Sequence, residues 1–178
     1  FSTAYTLTLK TNSKIPAVKY GTMKDNDGLS YKTITIGTQT WMTENLHSHT
    51  FRDSSAISHK PIDSVWISTD SAAYCTYNNT QDGSIVNQMG NLYNWYAVSS
   101  SKGLCPKGWH IPGDDEWLTL RDYLDKYGYG YEGSGDDVAK SLALKSWTNS
   151  FNKGELGNNQ STNNTSGLFY RKNCRIHR

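Results

Sequence analysis

The residues with the most evident chemical potential follow a tryptophan: Trp109, His110, Asp114, Asp115 and Glu116. An imidazole beside carboxylates could ligate a metal ion or exchange protons with a substrate. However, Asp114 stands where a helix N-cap belongs, and the next two carboxylates fall in the first turn, where they favour the positive end of the helix dipole. Because Asp115 and Glu116 are adjacent, they do not share a helical face. We therefore interpret the carboxylates as helix caps and predict no catalytic or metal site here.

A second candidate is the acidic turn at residues 25–28 (DNDG), which is similar to the opening of a calcium loop. An EF-hand loop needs a bidentate Glu at its twelfth position. Counting from the first Asp, that position is Ile36, which excludes an EF-hand. A different calcium site using Asp82, Asp136 or Asp137 has no support from the spacing. We predict a plain turn before a strand, and no cofactor.

Aromatic residues are numerous, with six Trp and twelve Tyr in the chain. Exposed rings can stack on the faces of sugars while amides and carboxylates bind their hydroxyls. Three rings lie in sequence typical of loops and are the candidates for ligand binding: Trp66, Tyr129 and Tyr131. Four tryptophans lie in patterned segments and are assigned to the core: Trp41, Trp95, Trp109 and Trp117.

The cysteines are Cys75, Cys105 and Cys174, too few for a disulfide-dense miniprotein and without zinc-finger spacing. In an oxidising compartment, a Cys75–Cys105 bridge would close a loop of about thirty residues, worth roughly 3–4 kcal/mol. The alternative is three reduced, mostly buried thiols. Catalysis by Cys75 or Cys105 would need a nearby basic partner. Because the chain has no G-x-S-x-G, H-E-x-x-H, P-loop or Rossmann glycine pattern, we expect no enzyme.

The segment from Cys105 to Gly128 predicts a short strand followed by a helix. Residues 109–111 are β-prone and are stopped by Pro112. The apolar residues after it are spaced as on one helical face: Trp117, Leu120, Leu124 and Tyr127. With Asp114 as N-cap and Gly128 as C-cap, this spacing predicts a helix of about fourteen residues.

Other elements follow from alternation and turn residues. Residues 31–36 alternate, residues 37–38 are a turn, and residues 39–42 follow, which predicts a β-hairpin. Further strands are predicted at 5–9 and 73–77, and a short helix from residue 136 towards Trp147. Residues 90–99 fit either a helix or a strand. Long polar stretches at 47–70 and 149–166 are predicted to be loops, the first of them functional or locally packed.

Composition excludes several classes of function. A chain of 178 residues is one domain. The net charge of +2 is dispersed, with no basic run alternating with aromatics, so no nucleic-acid partner is expected. Charged residues make up only 19%, and the abundant hydroxyl and amide side chains suit a secreted β-rich domain. No run approaches the ~20 apolar residues of a transmembrane segment, and residues 1–4 do not form a signal peptide, so export would place the signal before this sequence.

Three blocks in order resemble the Fibrobacter succinogenes major paralogous domain family: YKTITIGTQTWMTENL (31–46), GNLYNWYAV (90–98) and CPKGWHIPGDDEWLTL (105–120). The resemblance covers roughly residues 25–167. Members of that family are extracellular modules of surface proteins and lipoproteins in Bacteroidetes-like bacteria. The W-x-I-P-x-x-x-E-W block is also similar to the C-type-lectin-like fold, which includes the formylglycine-generating enzymes.

The resemblance implies an α+β, C-type-lectin-like fold with small antiparallel sheets, two to three helices and long loops. It divides the chain into an N-terminal strand or linker segment (residues 1–24), the family domain (25–167) and an atypical tail (168–178). In the family, further strands of the main sheet follow the equivalent of Gly167. The resemblance therefore implies a truncated or altered ending and an unpaired edge on the predicted hairpin.

The resemblance also implies a function: a non-catalytic binding or adhesion module, extracellular or on the outer-membrane surface, that recognises a glycan or a protein. One alternative is a structural spacer domain of a surface protein. Another is an enzyme related to the formylglycine-generating enzymes, which depend on a C-terminal cysteine arrangement that this sequence does not contain. Since one fold hosts many functions, the choice rests on the site.

Overall fold

Two small sheets and five short helices are found in the described part of the chain. The computed structural model describes residues 16–129, 138–143, 145 and 148–168. The strands are β1 (Lys19–Lys24), β2 (Ser30–Ile36), β3 (Gln39–Met42), β4 (Ser58–His59), β5 (Ala73–Thr76) and β6 (Asn91–Tyr93). The helices are α1 (Asp63–Ser68), α2 (Gly83–Met89), α3 (Trp95–Val98), α4 (Asp114–Lys126) and α5 (Ala139–Leu142). The α+β class is confirmed, with more helices than the two to three expected.

The first sheet is antiparallel, in the order β1-β2-β3, and contains the predicted hairpin. Ile36 pairs with Gln39 across the two-residue turn at 37–38. Gly37 has a φ of 62°, and a Cβ there would lie 2.6 Å from the ring of Tyr123. Glycine therefore satisfies both the turn and the close approach of α4. β1 covers the other edge of β2 from Ser30 to Thr35.

Helix α4 packs across this sheet and has well-defined ends. Its N-cap is Gly113, so the prediction of Asp114 as the cap was wrong by one residue, and Asp114 is instead the first helical residue. At the C-terminus, Gly128 has a φ of 71°. Its N–H donates to Asp125 O, and the N–H of Tyr129 donates to Leu124 O, each at 2.9 Å. These two bonds are a Schellman motif, which directs the residue after the glycine back onto the helix.

The main core lies between this sheet and α4. Its buried members come from β2, α4 and the segments after them: Ile34, Ile36, Leu120, Leu124, Tyr129 and Leu168. Tyr129 is only 2% exposed. The Schellman contact with Leu124 explains this burial, and a ring enclosed in a core cannot stack on a sugar. The prediction of Tyr129 as a ligand-binding residue was therefore wrong.

The second sheet is mixed, where only antiparallel pairing was expected: β4 and β5 are parallel, and β5 and β6 are antiparallel. The strand predicted at 73–77 is confirmed as β5. Residues 90–99 contain both alternatives in succession, β6 and then α3, separated by Asn94, whose side chain accepts from Ala97 N at 3.0 Å. A second core joins these elements through Phe51, Ile57, Ala97 and Leu104. The 47–70 stretch is thus locally packed rather than an open loop.

The remaining elements are short. Helix α5 lies within the region predicted as helical from residue 136, and residues 148–168 follow an irregular path with a single 3-10 turn, Gln160–Thr162. The strand predicted at 5–9 and the tail beyond Leu168 lie outside the described residues. Within the described ranges, no helix combines the length and apolar character needed to cross a membrane.

Candidate functional site

A cleft of about 510 Å³ runs along β3. Residues 38–42 form one wall, and residues 108–112, which lead into α4, form the other. The first turn of α4 adds Glu116 and Trp117 to the lining. Gln39 Nε2 donates to the backbone oxygen of Glu116 at 2.9 Å, which ties β3 to the helix. Two segments about seventy residues apart in sequence therefore meet in one concave surface.

Tryptophan rings dominate this cleft. Trp41 and Trp117 lie with ring centroids 4.8 Å apart and planes inclined by 37°. Trp117 is 41% exposed, while Trp41 and Trp109 are half-buried. The assignment of these three residues to the core holds only for Trp41, which packs against the main core and also lines the cleft. Trp109 and Trp117 line the cleft and are not among the residues packed on the core. Trp95, which was also assigned to the core, is 55% exposed and lies outside the cleft.

One ionisable pair lines the cleft. His110 Nε2 lies 2.6 Å from Glu116 Oε1. The other carboxylate oxygen of Glu116 accepts from the N–H of Gly113 at 2.9 Å, as in a capping box. The Gly113 amide, followed by His110, holds the pKa of Glu116 below its ordinary value. Glu116 is therefore a helix-capping carboxylate, in agreement with the sequence interpretation, and it also orients His110 at the wall of the cleft.

Glu116→Gln should make the stability of the domain less dependent on pH in acid. Because the folded pKa of Glu116 is depressed, its carboxylate contributes full stability above its ordinary pKa and loses it as pH falls through the folded value. We expect wild type to melt above the variant at pH 7 and the difference to shrink as the pH falls through the depressed folded pKa of Glu116. Thermal melts of both proteins at pH 7 and at successively lower pH measure this difference in melting temperature. Asp122→Asn, on the exposed side of the same helix, is the control, and a wild-type advantage that persisted unchanged at low pH would contradict the capping role.

The segments that form the cleft also carry the family signal. A family sequence model, described as the Fibrobacter succinogenes major domain, matches residues 34–173. The chain belongs to the Fibrobacter succinogenes major domain family. Comparison with curated proteins and with solved structures returned no match. The family recognised from the three sequence blocks is confirmed, and the C-type-lectin-like relationship stays a prediction.

In this member of the Fibrobacter major domain family, the two predicted ligand-binding rings that the structure describes, Trp66 and Tyr129, do not line a common site. Trp66 is half-buried in α1 and does not line the cleft. Tyr129 is in the core, as described above. Tyr131 lies outside the described residues. The sequence did not predict this cleft, because Trp41 and Trp117 have the spacing of core residues. Spacing along the chain does not show which of these residues stays accessible in the folded protein.

The candidate disulfide between Cys75 and Cys105 is not formed in the structure, and both residues are free thiols, as in the alternative of reduced cysteines. Cys75 is buried in β5, whereas Cys105 lies partly exposed in the lining of the cleft. Burial raises the pKa of both thiols, and the Arg52 guanidinium only partly offsets this at Cys105. A raised thiol pKa keeps the sulfur protonated at neutral pH and disfavours it as a nucleophile.

The acidic turn at residues 25–28 is a structural node. The Asp25 carboxylate is buried and accepts four hydrogen bonds, two from backbone amides and two from the hydroxyls of Tyr31 and Ser48. The Asn26 side chain donates to the carbonyls of Thr50 and Leu104 at 3.1 and 3.0 Å. In the described part of the chain, no group of three or more His, Cys, Asp or Glu side chains is placed to hold a metal ion.

Proposed function

We propose that this domain is a non-catalytic binding module whose ligand occupies the tryptophan cleft, meaning the cleft between residues 38–42 and 108–112. The observation that carries the proposal is the concave surface lined by Trp41, Trp109 and Trp117, whose rings remain accessible beside a packed core. Aromatic side chains in a concavity are the usual anchors of binding sites, because they bury large areas at little cost in conformational entropy. The ligand is a glycan or a segment of protein.

A non-catalytic role is supported by the chemistry of the lining. The Cys105 thiol has a raised pKa, and the Glu116 carboxylate is occupied by the Gly113 amide and His110. A nucleophilic mechanism needs an activated nucleophile oriented towards a base. The groups that line the cleft instead support one another and leave the indole rings as the principal ligand contacts.

We further propose that the domain acts outside the cell or on the outer-membrane surface, as part of a surface protein or lipoprotein. The composition supports this proposal, since charged residues are only 19% of the chain and its polar surface is rich in hydroxyls and amides. In such a setting the domain serves recognition or adhesion.

Trp117→Ala should weaken ligand binding without unfolding the domain. Removal of a central aromatic anchor weakens binding by about tenfold or more. Binding is measured by indole fluorescence and amide chemical shifts during titration with neutral hexasaccharides of glucose, xylose and N-acetylglucosamine, and with short extended peptides. Trp95→Ala, which removes an equally accessible tryptophan elsewhere, is the control. If no probe produced a saturable change that depends on Trp117, the structural-spacer alternative would be favoured instead.

A further inference from the structure

We propose that the tryptophan cleft binds an extended segment of another protein, which adds as a strand to the free edge of β3. This inference rests on the proposed function and specifies its ligand. Addition of a strand to a sheet edge uses main-chain hydrogen bonds for affinity and side-chain pockets for selectivity.

The hydrogen-bonding register of the hairpin identifies the free groups. Gln39 pairs with Ile36 directly across the two-residue turn, and the Thr43 N–H donates to Lys32 O at 3.0 Å. In an antiparallel pair, residues alternate between those bonded to the neighbouring strand and those that point away from it. Residues 39, 41 and 43 therefore bond to β2. Thr40 and Met42 direct their N–H and C=O groups to the opposite edge, which is the edge along the cleft.

These outward groups have no partner within the described residues. Among the residues that the structure describes, β3 is the last strand of its sheet, and no backbone hydrogen bond of Thr40 or Met42 occurs outside the strand ladder. The opposite wall of the cleft also has unpaired backbone groups, since His110 and Ile111 make no backbone hydrogen bond in the described ranges. The sequence predicted residues 109–111 to be strand-forming, yet they join no sheet. An extended chain between the two walls could pair with β3 and contact this second unpaired segment.

The side chains around the cleft favour apolar residues in that chain. Trp117 and Ile111 are 41% and 39% exposed, and Leu46 and Met42 also line the cleft. In contrast, two of the side-chain groups suited to sugar hydroxyls are engaged already: Gln39 Nε2 with Glu116 O, and the Thr40 hydroxyl with Thr35. The groups that stay free in the cleft include backbone N–H and C=O groups and apolar side chains, and a polypeptide strand can contact both.

Charge selects a partner with basic residues beside the apolar ones. Glu44 follows one end of β3, and the first turn of α4, joined to the other end through Gln39, carries Asp114, Asp115 and Glu116. Carboxylates at both ends attract Lys or Arg and repel a second copy of this chain, which would present the same carboxylates. The favoured occupant is therefore an apolar, β-prone segment with basic flanks.

The test uses a pooled library of capped seven-residue peptides, with Val, Ile, Tyr or Thr at the five central positions and Lys at both ends. Peptides retained by the immobilised protein are identified and then titrated singly, with amide chemical shifts as the readout. Thr40→Pro removes the outward N–H of β3 together with the side-chain hydroxyl, and a sheet edge tolerates proline. Thr40→Val is the matched control, since it loses the same hydroxyl and keeps the N–H.

We expect retained peptides to perturb the amides of Thr40, Met42 and Ile111 and to bind about tenfold more weakly to Thr40→Pro than to Thr40→Val. A peptide N-methylated at alternate residues should lose the same affinity without any change to the protein, which keeps the test valid if the proline variant unfolds. A pool with Glu at both ends should be retained less than the Lys pool.

Three outcomes would overturn this inference. If a hexasaccharide bound in a Trp117-dependent manner and no peptide did, the cleft would be a binding site for glycans, and the proposed function would survive. If sedimentation showed that the free protein dimerises and that Thr40→Pro alone dissolves the dimer, the occupant would be a second copy. If neither peptides nor hexasaccharides perturbed the cleft, this inference and the proposed function would both fail.

Discussion

Asp25→Ala is expected to lower the free energy of unfolding by about 3 kcal/mol, one of the two largest effects anticipated for a single substitution in this domain. The carboxylate accepts from the amides of Asp27 and Leu29, each at 2.9 Å, and from the hydroxyls of Tyr31 and Ser48, each at 2.7 Å. Alanine would remove the acceptor of all four donors, and the bonds from the Tyr31 and Ser48 hydroxyls are buried, where water does not replace the lost acceptor. Chemical denaturation of wild type and variant measures the loss.

The same carboxylate should make stability depend on pH. Burial opposes the ionisation of Asp25, but hydrogen bonds from Ser48 and Tyr31, with the amides of Leu29 and Asp27, together hold its pKa below its ordinary value. Its stabilisation is therefore complete above the ordinary pKa and is lost as pH falls through the folded pKa. Asp25→Asn should remove this part of the acid dependence while destabilising less than alanine, because an amide keeps one acceptor oxygen.

Asp53→Ala is the matched control for this prediction. Asp53 also accepts from a backbone amide and a hydroxyl, both of Ser55, but it does so on the surface, where water replaces the lost bonds. We expect a much smaller change than at Asp25. Equal losses at the two positions would show that the buried node does not anchor the turn to the 47–57 region.

Lys140→Met is the second substitution with a large expected effect, again about 3 kcal/mol. Lys140 is only 2% exposed. Its ammonium donates to the carbonyls of Glu155 and Asn158 and to the side-chain oxygen of Asn163. The Lys140 carbonyl accepts from Asn164 N at 3.1 Å. One residue thus joins residues 155–164, which contain no strand and a single 3-10 turn in the described chain.

Loss of the ammonium should release this region before the rest of the domain. Hydrogen exchange would report it, since the amides of Asn163 and Asn164 should exchange faster in the variant while those of β2 change only with global stability. Lys145→Met, at an exposed position, is the control. If the two variants exchanged alike, Lys140 would not be the organising residue of this region.

Asp25 and Lys140 both lie away from the tryptophan cleft. The residues that stabilise the fold are therefore different from those proposed to bind the ligand. Variants at Asp25 and Lys140 are expected to change stability, whereas Trp117→Ala and Thr40→Pro are expected to change binding. A ligand screen on this domain is best controlled by both kinds of variant, because a loss of binding in a destabilised scaffold says nothing about the cleft.

Much of the fold could be predicted from local signals. The alternation in residues 31–42 with glycine at the turn predicted the hairpin, and the acidic first turn with Gly128 at the far end predicted α4 to within a residue or two. Each of these signals acts between residues that are neighbours along the chain. For the same reason the three conspicuous sequence blocks were enough to recognise the family.

The sequence by itself thus determined the hairpin, the main helix and the family, whereas the tertiary structure decided the site. Trp117 has the spacing of a core residue, yet its ring faces the cleft, and Tyr129 looks like a loop residue, yet a Schellman turn places it in the core. Lys140 is buried, although lysine is ordinarily exposed. Exposure depends on which distant segment packs over a residue. The exposure of these residues is set by long-range contacts between the hairpin, the helix and the loops. The periodicity of residues along one element does not encode such contacts.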